Sequence, residues 1–126
     1  MYYYYLIHKE EIIRIENKER FIDAKDLRKI IKCDLLEAHT ISLRLMDRRV
    51  FKAVLIIDEE GISRNRRINI AATKLWKNKG GWSDILGPAI LCTVGRVEGG
   101  FDEDLCGFDE DVSKDILFNI QNKKGT

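Results

Sequence analysis

Apolar positions recur along the chain with two periods, one close to two residues and one close to 3.6. "YYYYLIH", Tyr2 to His8, is a continuous aromatic and aliphatic run of the kind that pleated strands favour. "EIIRIE", Glu11 to Glu16, follows across Lys9 and Glu10 and reads as its hairpin partner. In "DAKDLRKIIK" the apolar residues Leu27, Ile30 and Ile31 fall on one helical stripe. Asp23 and Asp26 ahead of them resemble a capping box. "LLEAHTISLRL" alternates strictly from His39 onward, with Ile41, Leu43 and Leu45 against Thr40, Ser42 and Arg44, and predicts a half-buried strand that turns at Met46 to Arg49. "VFKAVLIID", Val50 to Asp58, is nearly all apolar and predicts a central strand covered on both faces.

The second half follows the same logic. Gly61 closes "DEEG", where a glycine supplies positive φ for a tight turn while the acids around it stay solvated. Asn69 is a good helix N-cap for "NIAATKLW", with Ala71, Ala72, Leu75 and Trp76 giving propensity and an apolar face. "NKGG", Asn78 to Gly81, stops that helix. Pro88, the single proline, opens the strand "AILCTV". "VSKDILFNI" reads as a last helix. These elements make one α+β domain over residues 1–121, with an antiparallel or mixed sheet and two or three helices. Residues 122–126 read as a frayed tail.

Composition narrows the class. A chain of 126 residues buries a single core without disulfide or metal staples. With a net charge of +1, no global field points to nucleic acid or membrane. Charge is nevertheless uneven. Basic residues dominate from Arg44 to Lys79, and Glu98 to Asp111 carries only acids. The two blocks read as solvated faces, or as partners of each other in a homodimer. Three cysteines without Cys-x-x-Cys spacing argue against a disulfide framework and for a reducing compartment. No apolar run approaches the ~20 residues of a membrane span. "MYYYYLIHKEE" lacks the features of a signal peptide, so the expected location is the cytosol.

Candidate chemistry is sparse. "GFDEDL" and "GFDEDV" form a local acidic duplication, seven residues apart. Read as a calcium loop from Asp102 it fails, because Cys106 and Ser113 replace oxygen ligands and Asp109 takes an apolar position. Cys33, Cys92, Cys106, His8 and His39 have no zinc-site spacing, and nothing marks a thiol as activated. "GRVEGG" lacks the lysine of a phosphate loop. Asp58, Glu59 and Glu60 are consecutive and diverge. No catalytic residue, metal or cofactor is therefore assigned.

What remains is the stretch "LIIDEEGISRNRRINIAATKLW". Arg64, Arg66 and Arg67 lead to a helix start, Lys74 and Lys77 extend the positive patch, and Trp82 is a nearby aromatic. Arginine forks and helix N-termini both attract phosphate. This patch is the candidate ligand-binding surface for a nucleotide or nucleic-acid backbone. The competing reading pairs the arginines with Asp58, Glu59 and Glu60 across the turn and buries Trp76 in the core.

The order of these motifs resembles an uncharacterised family of phages, plasmids and large DNA viruses, catalogued as domain of unknown function 3846. An apolar strand ending in acid-Glu-Gly, an Asn-x-x-Ala segment and Ile-x-Gly before a last strand stand here as "VLIIDEEGI", "NIAATKL" and "DILGPAILC". The resemblance spans about Ala24 to Asp111. Lys32 and Cys33 replace the family's usual glycine pair, and Ile68 replaces a common proline. The resemblance implies a viral or mobile-element accessory protein and carries over no catalytic residues. The expected function is that of a non-enzymatic interaction module for a host or viral protein. Binding of a nucleotide or nucleic acid through the basic patch is the alternative, and a small hydrolase or transferase the third class.

Overall fold

The computed structural model describes residues 1–100 and 102–122. Six strands and three helices follow in the order β1 (Tyr2–His8), β2 (Glu11–Asn17), α1 (Ala24–Ile31), β3 (Leu36–Arg44), β4 (Val50–Asp58), α2 (Ile70–Asn78), β5 (Ala89–Arg96), β6 (Glu103–Cys106) and α3 (Glu110–Asn122). The strands form one antiparallel sheet in the order β2-β1-β5-β4-β3, with β6 pairing the C-terminal half of β5. The fold is α+β, as the alternating periods predict. The tail expected over residues 122–126 lies, from 123 onward, outside the described residues.

Both faces of the sheet are covered, which explains the near-continuous apolar strands. On one face Ala53, Leu55 and Ile57 of β4 join Tyr5, Ile7 and Leu91 beneath α2 and α3, which contribute Ala72, Leu75, Val112 and Ile116. On the other, Val54, Ile56, Ile90 and Cys92 pack against Leu27 and Ile31 of α1. Each such aliphatic side chain, fully buried, contributes about 1.5–3 kcal/mol before conformational entropy is subtracted. β4 is interior and buried on both faces as expected, although β5 takes the middle of the order.

Local signals hold in most places. Asp23 caps α1 by accepting from the Lys25 N–H at 2.9 Å. The reciprocal bond of a full capping box is not made among the described residues, because aspartate at position 26 is a methylene shorter than the usual glutamate. Asp109 caps α3, accepting from Val112 N at 2.9 Å. The first acidic copy is not a loop: Glu103 to Cys106 form β6, where Glu103 lies 3.5 Å from Lys52. Phe101 of that copy is outside the described residues. Tyr5 crosses the core to hydrogen-bond the carbonyl and hydroxyl of Ser113, tying β1 to α3.

Candidate functional site

The segment between β4 and α2 opens with Asp58, which is 2% exposed and not solvated as its exposed neighbours are. One carboxylate oxygen accepts from the Glu60 N–H at 2.9 Å, folding the chain into an Asx turn. The other meets Arg66 Nε at 2.7 Å and Arg64 Nη1 at 3.0 Å. A buried carboxylate needs such partners, since an unpaired charge in the interior is costly. The glycine of "DEEG" serves space rather than φ. Gly61 is absent from the left-handed residues, and a first side-chain carbon there would sit 3.3 Å from Leu86 Cβ and from the Leu86 carbonyl oxygen.

The two guanidinium groups reach further. Arg64 Nη1 donates to the Lys32 carbonyl at 2.9 Å, and Arg66 donates to the same oxygen. Lys32 is the C-cap of α1 and adopts the left-handed conformation with φ 59. Helix C-termini leave carbonyls unpaired, and cations satisfy them well. Arg64 and Arg66 thus clamp the end of α1 to the end of β4. The side chain of Arg66 is 15% exposed and that of Arg64 44%, so Arg66 is the more deeply committed of the two.

A second junction sits directly beside this clamp. Asn69 is 1% exposed, and its side-chain oxygen accepts from Ala72 N at 3.1 Å, capping α2 as expected. Its amide nitrogen donates to the carbonyls of Ile7 and Gly87 at 2.7 and 2.9 Å, so one side chain joins α2, β1 and the approach to β5. Gly87 has φ +83, and a Cβ there would lie 2.6 Å from Arg66 Cδ. Gly61, Asn69 and Gly87, the residues that carry the motif order, therefore meet around one structural knot that includes Asp58 and Arg66.

The α2 N-terminus is largely spoken for. Ala71 N donates to the Lys9 carbonyl at 3.1 Å, Ala72 N to Asn69, and Thr73 N to the Asn69 carbonyl at 2.9 Å. An anion at this end would have to displace the internal acceptors of Ala71 and Ala72, which weakens the helix-dipole component of the phosphate reading.

The six candidate residues thus separate. Arg64 and Arg66 are accounted for internally. Lys77 pairs with Asp84 at 3.0 Å. Arg67, Lys74 and Trp82 are exposed, Trp82 at 88%, and their side chains have no polar or ring partner among the described residues. Lys74 borders a small apolar cleft of about 30 Å³ lined also by Ile7, Ile12, Leu75 and Ile120, room for about one water. Trp76, expected in the core, is half-buried against it. Its ring packs tilted against His39, centroids 4.7 Å apart, and lies under the backbone of Gly81, where a Cβ would come within 2.2 Å of the indole. Its Nε1 is buried without a hydrogen-bond partner among the described residues.

Other reactive groups are scattered. His39 Nε2 stands 3.6 Å from Glu37 Oε2, two residues along the same strand face, and His8 is exposed at the end of β1. Burial raises the thiol pKa of Cys33, with Asp58 adding and Arg66 and Arg64 opposing. Burial pushes Cys92 up to about 12 and also raises Cys106. Thiols held protonated are poor nucleophiles and poor metal ligands. Among the described residues, no three His, Cys, Asp or Glu side chains are grouped to hold a metal ion. No helix among them is long and apolar enough to cross a membrane. No protein-family model, curated protein or solved structure matches this chain.

Proposed function

We propose that this protein is a non-enzymatic interaction module, the accessory protein of a virus or mobile element, and that it engages a macromolecular partner through Arg67, Lys74 and Trp82. The observation that carries the reading is the division of the basic patch. Arg64 and Arg66 are consumed by Asp58 and the α1 C-terminus, whereas Arg67, Lys74 and an 88% exposed tryptophan face solvent with no internal partner among the described residues. Tryptophan and arginine are the residues most enriched at the energetic centres of protein interfaces. Arg67 and Trp82 flank α2 and Lys74 lies on it; its nine residues span roughly 13 Å, a length that suits a surface contact better than a small-molecule cradle.

A hydrolase or transferase would need a nucleophile within reach of a base. His39 has Glu37 as its ionic neighbour and no hydrogen-bonded serine, threonine or cysteine among the described residues. Nucleic acid remains the second partner class, because the surviving charges are cationic and α2 carries no acid in its first turn.

The test uses the tagged full chain as bait in host-cell extract, beside a variant with Arg67, Lys74 and Trp82 all changed to Ala. A specific protein retained by the parent after nuclease treatment, and lost by the variant at unchanged thermal stability, supports the reading. Retention of nucleic acid alone, falling steeply with salt, moves the assignment to a nucleic-acid binder. Equal retention by the variant removes this surface from the function.

A further inference from the structure

β3 ends the sheet, and its outer edge lacks most of the usual protections. It is nine residues long, with no proline and no lysine, and it pairs with β4 without a bulge from Leu36↔Asp58 to Arg44↔Val50. Sheet edges of this kind are templates for another strand. The direction of the edge groups follows from the ladder. Leu45 N donates to the Arg49 carbonyl and Glu59 N to the Leu35 carbonyl, so odd-numbered residues bond to β4. Antiparallel pairing alternates, and Leu36, Ala38, Thr40, Ser42 and Arg44 therefore aim their N–H and C=O groups outward.

From this edge we infer that β3 is a self-association surface, on which a second copy of the chain pairs antiparallel about a two-fold axis at Thr40. Thr40 is the middle residue of β3, so this register faces all five outward residues of one copy with all five of the other. The opposed pairs are Leu36 with Arg44, Ala38 with Ser42, and Thr40 with itself, a favourable combination for a cross-strand pair. No like charges meet.

Charge and shape select the same arrangement. The N-terminal end of β3 is acidic and apolar, "DLLE" from Asp34 to Glu37, with Leu35 51% exposed. The C-terminal end borders an open depression of about 340 Å³ lined by Ser42, Leu43, Arg44, Val50 and Lys79. Two-fold pairing brings the acidic, leucine-bearing end of each copy to the cationic, valine-bearing depression of the other. Parallel pairing would set like ends together. The opposite edge, β2, is unsuited to the same use, because pairing about its middle residue would set Arg14 against Arg14.

The experiment is sedimentation velocity on the full chain from micromolar to about 1 mM. Thr40→Pro deletes the outward N–H at the symmetry axis and no bond to β4. Thr40→Lys places two cations on the axis, and Ile13→Lys on β2 is the control. A concentration-dependent dimer is expected. Thr40→Pro should weaken it roughly ten- to hundred-fold, the loss of two ladder hydrogen bonds. Thr40→Lys should weaken it comparably, and Ile13→Lys should leave it intact. If Thr40→Pro fails to fold, Thr40→Lys decides alone. A wild-type chain that stays monomeric throughout overturns the inference, as does a dimer indifferent to Thr40→Lys or lost with Ile13→Lys.

Discussion

Replacing Asp58 by Asn tests the structural reading of the arginine loop most directly. The amide is nearly isosteric and can still accept from the Glu60 N–H, so the Asx turn survives while the charge is lost. Arg66, 15% exposed and 2.7 Å from the carboxylate, is then left facing a neutral group. Removing one partner of a buried ion pair costs about 3–5 kcal/mol. The lower end applies here, because both arginines keep the Lys32 carbonyl. Arg64, at 44% exposure, is screened by solvent, and its share should be under about 1 kcal/mol. The expected loss is therefore about 3 kcal/mol, read from urea unfolding by linear extrapolation, with a fall in Tm of roughly 10 °C. A double-mutant cycle should show stronger coupling of Asp58 to Arg66 than to Arg64. A loss below about 1 kcal/mol, or no coupling to Arg66, would refute the clamp and return both guanidinium groups to the pool available for a ligand.

Two further outcomes follow from the same physics. Asn69→Ala should cost about 2–4 kcal/mol, combining a lost helix cap with two buried carbonyls that each lose a donor. Asn69→Asp keeps the cap acceptor but not the donor, so in equilibrium unfolding it should rescue little or none of the loss; near-complete rescue would show that capping alone matters. In alkali, Cys92 ionises near 9.0 when unfolded and near 12 when folded, so its contribution is fully present below pH 9 and is lost as pH rises toward 12. Stability should fall by up to about 1.4 kcal/mol per pH unit in that window, with the raised Tyr4, Tyr5, Cys33 and Cys106 acting in the same direction. Cys92→Val should flatten the slope in urea titrations at successive pH values, and an unchanged slope would contradict the assignment.

Much of the architecture was legible in the residues themselves, because period, caps and breakers act locally. The hairpin at Lys9–Glu10, the Asn69 cap, the break after Asn78 and the strand after Pro88 all depend on groups a few residues apart. So does the doubly covered β4, whose apolar run from Ala53 to Ile57 has no solvated face to signal. β6 was not legible. "EDLC" has no strand pattern, and it becomes a strand only because β5 offers an open edge and Phe21 and Tyr3 anchor the residues around it. The left-handed Lys32 was not legible either, because two arginines from another loop hold its carbonyl.

The candidate site divides along the same line. Sequence spacing showed that Arg64, Arg66 and Arg67 were neighbours, and it named both their possible partners, an internal carboxylate or an external anion. It did not show which guanidinium would find Asp58, because that depends on the depth of β4's end and on α1 arriving from the other side with an unpaired carbonyl. A carbonyl met by guanidinium groups 32 and 34 residues further along is a property of the packed chain. The sequence determined the elements and the supply of charge. The tertiary structure alone decided which charges were buried and spent and which, like Arg67 and Lys74, stayed at the surface, since the cost of an unpaired ion is set by its solvent and not by its neighbours in the chain.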